Sequence, residues 1–353
     1  MSTSQAPLFI VSTGRCGSTM LSRMLALHPE VASISEFFTS LAPWAFNKNP
    51  VDGPNLWHVL SLPSGNHRIW LKLLERGIAI DEFRYPTSRL DQYREAGIPP
   101  LLTMTLTEFS DNPEAFHEEL RIFVESLPMA NLGAQYLRIF DWLTQRLGRR
   151  VWVERSGSSL GFIEPVMHFF PNARYVHIWR DGREMALSSS KFPPMRLSMV
   201  SRDFQARVGK TLYERIAPKD ISKLPAQYHE LVAPDFSVEA YQRLSLPIER
   251  FGEVWSNMMG RAMPLLSKLP PERVLHVQYE SILKNPAEHL RKLVEFIDPS
   301  LERDAWVRMA AELIRTNPPK WTRLPAEERM RLERACAPGF EMLRRYGSRV
   351  EGE

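Results

Sequence analysis

The sequence predicts an α/β fold, a parallel sheet flanked by helices, with a large helical insertion. Three observations predict it. The apolar run Leu8-Phe9-Ile10-Val11 passes directly into the glycine-bearing turn "STGRCGSTML" and then into a helical pattern. Residues 151–190 repeat this alternation of short apolar strand and helix. The chain returns to it late, with the strand "RVLHVQYE" at 273–280 and a helix from Pro286 to Ile297.

Each element follows in order. Leu8 to Ser12 reads as a strand, and Met20, Leu21, Met24, Leu25 and Leu27 give the spacing of a helix face buried against it. "VASISE" is a second strand that ends at Glu36. Residues 41–147 change texture, with scattered Trp44, Trp57, Trp70 and Trp142, a helix start at Asp111-Asn112-Pro113-Glu114, and a second helix ending near Gly148. This is the helical insertion; its tryptophans suit a packed core or an apolar or sugar-stacking wall. A strand begins at Ala173, breaks at Arg180-Asp181-Gly182 and enters a helix with Ser188 in its second turn. The prolines and weak periodicity of 191–246 predict a long irregular segment near the functional site or over it. A helix around 248–268 leads back to the sheet, so the expected organisation is one elaborated domain over 1–353.

Composition excludes several classes. With 44% hydrophobic and 24% charged residues the chain reads as globular, and its net charge of +4 favours anionic ligands while being too small and too spread to indicate nucleic acid. Cys16 and Cys336 cannot build a disulfide framework, no secretory signal or membrane span is evident, and a cytoplasmic setting is expected. His117-Glu118-Glu119 lacks the second histidine of a zinc helix, no acidic strand end suits magnesium, and no metal is expected. His168 and His177 sit inside apolar runs, as packed histidines do.

The chemistry concentrates in two stretches. In the first, Gly14 and Gly17 let backbone N–H groups turn inward at a helix N-terminus, Arg15 adds a full positive charge, and Ser18 and Thr19 add hydroxyl donors. This is an anion cradle. It is not the usual triphosphate loop, because the two glycines are too close and no lysine follows Gly17. In the second, "YVHIWRDGREMALSSS", Arg180 stands at the carboxyl end of a strand where α/β sheets bind ligands, and Ser188 lies eight positions on. Two separated anion sites imply a ligand phosphorylated at two places; the alternative is that Arg180 pairs with Asp181 or Glu184 and Ser188 packs.

Taken together, these residues resemble the sulfotransferases that use 3′-phosphoadenosine 5′-phosphosulfate. "STGRCGSTML" resembles their 5′-phosphosulfate loop and "YVHIWRDGREMALSSS" their 3′-phosphate motif, while "LALHPEVASISE" and "VQYESILKNPAEHLRKLVEFI" are similar to stretches of the tyrosylprotein and bacterial members. The resemblance covers somewhat under half the chain. It implies a P-loop-like fold. It also implies that Arg15, Cys16, Gly17, Ser18 and Thr19 hold the 5′-phosphosulfate and Arg180 and Ser188 the 3′-phosphate. Tyr279, Lys320 and Trp321 fall where relatives contact the nucleotide, although the glycine-rich "RKG" motif of cytosolic members is missing.

The resemblance departs at the base. Many cytosolic relatives use a histidine after the third strand, and "VWVERSGSSLGF" has none. Glu36 stands where tyrosylprotein and some bacterial members have a glutamate, which makes it the expected general base, with Arg15 and Arg155 stabilising charge; Arg155 replaces a lysine of several relatives. The implied reaction moves a sulfuryl group to a hydroxyl of a small-molecule, glycan or lipid acceptor without a metal. Two other functions stay open at this point: a P-loop kinase or other triphosphate enzyme, and a non-catalytic nucleotide-binding module. The sequence leaves the acceptor and the oligomeric state undetermined.

Overall fold

The computed structural model describes residues 6–63, 65–301, 303–316 and 318–347. Five parallel strands form the sheet: β1 (Leu8–Val11), β2 (Val31–Ser35), β3 (Val151–Arg155), β4 (Arg174–Trp179) and β5 (Val274–Gln278), in the order β2-β3-β1-β4-β5. β1 lies at the centre, and all four of its residues are buried. Leu8 and Ile10 pack into the core on one face with α1 (Ser18–Ala26), whereas Phe9 and Val11 join the larger core on the other. Burial on both faces is why β1 reads as an unbroken apolar run instead of alternating.

The topology creates the site. From β1 the chain moves to β2 on one side, and β4 pairs on the other, so the order reverses at the carboxyl end of β1. Ligands of open α/β sheets bind in the crevice at such a point. The Gly14–Thr19 turn leaves from this end, and α1 buries Leu21, Met24 and Leu25 against the sheet. Leu27, expected on the same face, lies beyond the helix and is 42% exposed, because His28 already turns the chain by bonding back to the Leu25 carbonyl.

The 41–147 stretch is built of helices, including Gly53–Ser61, Gly65–Glu75, Pro113–Glu125 and Leu132–Arg146. Asn112 caps the third of these by accepting from the Ala115 N–H, as the Asp-Asn-Pro-Glu signal predicts. Trp57 and Trp70 are buried, while Trp44 is exposed.

The 191–246 stretch departs from the irregular segment expected. It opens with a sixteen-residue helix, Pro193–Val208, because Pro193 and Pro194 occupy its first turn, where no backbone donor is needed. At the other end, β5 stops at Gln278, and Tyr279 and Glu280 begin the short helix Tyr279–Lys284 instead of finishing the strand. His177 is buried against His276, Nδ1 to Nδ1 3.0 Å, and burial lowers its pKa so that it packs as a neutral ring. No helix among the described residues is long and apolar enough to cross a membrane.

Candidate active site

The turn after β1 is held in a left-handed conformation at Gly14 (φ 79°), Arg15 (φ 52°) and Gly17 (φ 90°). Gly17 has a second reason to be glycine: a Cβ there would run into the ring of Tyr279, which lies against the turn. Cys16 points into the core, where burial raises its thiol pKa, so only its backbone faces the turn. The Ser18 side chain is buried and Thr19 is half-buried.

Two cavities meet at Arg15. One, of about 400 Å³, is lined by Arg15, Arg180, Ser188, Lys191, Tyr279 and Lys320 among others. The second, of about 410 Å³, is largely apolar and is reached by Gly14, Arg15, Ser18, Thr19, Glu36 and Arg155. Arg15 lies over the Phe192 ring at 4.3 Å, and both residues line both cavities. Most residues singled out in the sequence are thus divided between two adjoining spaces with Arg15 at the boundary.

The first cavity is cationic and pre-wired. Arg180 donates to Glu184 at 3.0 Å and lies over the Tyr279 ring at 4.9 Å, yet its Nε is buried without a partner. Arg15 Nε donates to Ser188 Oγ at 3.2 Å. Glu184 also accepts from the backbone N–H groups of Lys320 and Trp321, at 2.5 and 2.8 Å, which pins the late segment beside Arg180. This brings Lys320 to the cavity. Trp321 faces elsewhere: its ring carries Arg183 at 3.9 Å and is not part of the lining.

Glu36 follows β2 with φ 58° and stands at the N-cap position of the helix Phe37–Leu41, without a side-chain capping bond. Its carboxylate accepts from Arg155 Nη1 and, at 2.8 Å, from the Gly157 N–H. Arg155 is buried and also donates to Ser35 Oγ at 2.5 Å. It therefore pairs neither with Glu154 nor with Glu164. Ser156 fixes this arrangement from behind, accepting from the N–H groups of Phe38 and Thr39 and donating to Glu154 Oε1. Burial pushes the Glu154 carboxyl up to about 8, so it is protonated at neutral pH and adds no competing charge.

Three site residues were not visible in the sequence. Glu82, from the insertion, accepts from Arg15 Nη1 at 2.8 Å, with Asp81 at 3.6 Å. Burial raises the Glu82 pKa, against the pull of Arg15, and its second oxygen is buried without a partner. His67 lines the apolar cavity, where burial lowers its pKa to about 4 and keeps it neutral. Lys191 adds a cation to the first cavity; its place just after Ser188-Ser189-Ser190 was the one available signal. No His/Cys/Asp/Glu group among the described residues is placed to hold a metal.

No curated protein matches the chain. Solved structures with similar shape include the sulfotransferase domain from the curacin biosynthetic pathway, at 16% identity over 100% of both chains and a TM-score of 0.49. The sulfotransferase domain of the Synechococcus PCC 7002 olefin synthase is 14% identical over 98% of this chain and 97% of that one, with a TM-score of 0.45. Sulfotransferase STF9 from Mycobacterium avium is 15% identical over 100% of this chain and 79% of that one, with a TM-score of 0.43. The profile of the Sulfotransferase family matches residues 226–303, the region that carries β5 and Tyr279. Over that stretch the chain is similar to the sulfotransferase family.

Proposed function

We propose that the protein transfers a sulfuryl group from 3′-phosphoadenosine 5′-phosphosulfate to a hydroxyl of a small-molecule, glycan or lipid acceptor. The observation that carries this reading is the meeting of a cationic and an apolar cavity at one arginine, Arg15. A nucleotide phosphorylated at 3′ and 5′ positions needs two separate anion sites, and Arg180, whose Nε is buried without a partner, lines the first. Arg180, Ser188, Lys191 and Lys320 would hold the 3′-phosphate end, with Tyr279 beside it. Arg15 and the N–H groups of Cys16 to Thr19 would hold the 5′ end.

When bound, the donor supplies an electrophilic sulfur and a leaving group that gains negative charge. The protein's part is to orient and to manage charge. Arg15 faces the growing charge at the cavity boundary, where a preplaced cation acts without reorganisation. Glu36 accepts the acceptor's hydroxyl proton as the new O–S bond forms and the bridging S–O bond breaks. Arg155 and the Gly157 N–H fix the Glu36 carboxylate, and two donors leave lone pairs free for that proton. The apolar walls, including Trp70, Met104 and Phe192, would exclude water from the transfer.

On this reading residues 1–353 act as one domain, since the insertion contributes His67, Trp70 and Glu82 and the 191–246 stretch contributes Met195 and Arg202 to a single cavity. Two buried free cysteines suit a reducing cytoplasm. The test is transfer from donor labelled in its sulfuryl group to a panel of hydroxyl compounds without added metal. Label in a sulfate ester supports the reading; transfer only from magnesium ATP overturns it.

A further inference from the structure

The apolar cavity does not end at its own far wall. A second chamber of about 240 Å³ adjoins it, sharing Met195, Ser198 and Arg202, and its lining includes Met185, Met199 and Met258 beside Phe162, Phe251 and Val254. A third space of about 960 Å³ continues outward between the helices Glu249–Leu266 and Ala326–Gly347, sharing Gly161, Val254, Met258 and Arg202 with the second. Arg202 is common to all three. Methionine walls adapt to flexible apolar chains, having three rotatable bonds and a polarizable sulfur.

The charges along this path are unusual in one respect. The other arginines of the two cavities that meet at Arg15 are matched: Arg15 with Glu82, Arg155 with Glu36, Arg180 with Glu184. Arg202 has no ion pair or hydrogen bond among the described residues, and neither has Arg261, which shares the outer groove with it. Partial burial, and after it repulsion from the Arg261 charge, lowers the Arg202 pKa. Glu253 lines the same groove without pairing with either. Both arginines stand exposed at one groove with no paired carboxylate among the described residues to compete, so an anion lying there would meet two available cations.

We infer that the acceptor is an extended apolar molecule with its hydroxyl at the Arg15 end and an anionic group, carboxylate or phosphate ester, held by Arg202 and Arg261. This rests on the sulfotransferase reading and narrows its acceptor class. The chain would lie along the methionine-lined chamber, and the distance between its hydroxyl and its charge would select substrates. Neutral alcohols of the same length would reach the same chambers without the terminal anchor.

The test compares three probes by calorimetry in the presence of adenosine 3′,5′-bisphosphate: ω-hydroxydodecanoate, ω-hydroxydodecyl phosphate and the neutral dodecanediol. Both anions should bind about tenfold or more tightly than the diol, as expected for a hydrogen bond to a charged partner. Preference for one of the two identifies the headgroup. Arg202→Met should erase the advantage of the anions over the diol and leave bisphosphate affinity unchanged, and Arg261→Met should reduce that advantage. Equal binding of diol and anions, no binding of any probe, or discrimination that survives both substitutions would overturn the inference. Failure of the bisphosphate itself to bind would instead sink the sulfotransferase reading, and anion discrimination would still be readable without it.

Discussion

The Glu82 carboxylate holds the Arg15 guanidinium at 2.8 Å, so the cation expected to meet the phosphosulfate is matched by a side chain of the insertion. An incoming anion must displace Glu82, and Asp81 and Glu36 add negative charge nearby. Glu82→Gln should therefore tighten adenosine 3′,5′-bisphosphate binding, by about tenfold for a partly buried ion pair. The pH dependence has a definite sign. Burial raises the Glu82 pKa, so lowering the pH protonates it, frees Arg15 and mimics the substitution. The affinity ratio between Glu82→Gln and wild type should shrink as pH falls, a comparison in which protonation of the ligand cancels. A ratio of one at every pH would show that Glu82 does not compete.

Glu36, the proposed proton acceptor, is the counter-charge of buried Arg155. Glu36→Gln should cost roughly 3 to 5 kcal/mol of stability by leaving Arg155 uncompensated. If Glu36 is the base, turnover per folded molecule should also fall about 10²- to 10⁴-fold. Circular dichroism gives the folded fraction, and bisphosphate affinity should be unchanged. Wild-type turnover per folded molecule would restrict Glu36 to a structural role.

Gly17→Ala should be damaging on two counts. A Cβ at φ 90° is strained, and it collides with the Tyr279 ring. We expect a loss of about 1 to 3 kcal/mol in thermal unfolding, together with weaker bisphosphate binding as Tyr279 is pushed from Arg180. Gly77→Ala is the control: Gly77 also has positive φ, but a Cβ there meets nothing within 4 Å. It should lose stability without losing affinity.

What the sequence disclosed was local. The strand, glycine turn and helix over Leu8–Ala26 are legible because apolar periodicity, turn glycines and a helix N-terminus lie in adjacent residues. Arg180 and Ser188 are legible for the same reason. Pro193 and Pro194 misled, since two prolines read as a break and here open a helix. Glu82, His67 and Arg202 left no local mark: Glu82 meets Arg15 across 67 positions, and only the packing of the insertion against the sheet joins them. Pairing of Arg180 with Asp181 or Glu184 was the alternative to an anion site, and the Glu184 pair is present; the hold of Glu184 on Lys320 and Trp321 spans 136 and 137 positions.

Two anion sites, at Arg15 and at Arg180, are proposed to share one nucleotide. Calorimetric titration with adenosine 3′,5′-bisphosphate, run beside adenosine 5′-monophosphate and magnesium ATP, tests it most directly. The account predicts tight binding of the bisphosphate and at least about a tenfold loss without the 3′-phosphate, as for one charge-assisted contact. Arg180→Ala should reproduce that loss for the bisphosphate alone. Equal affinity for the mono- and bisphosphates, or a preference for magnesium ATP, would contradict it.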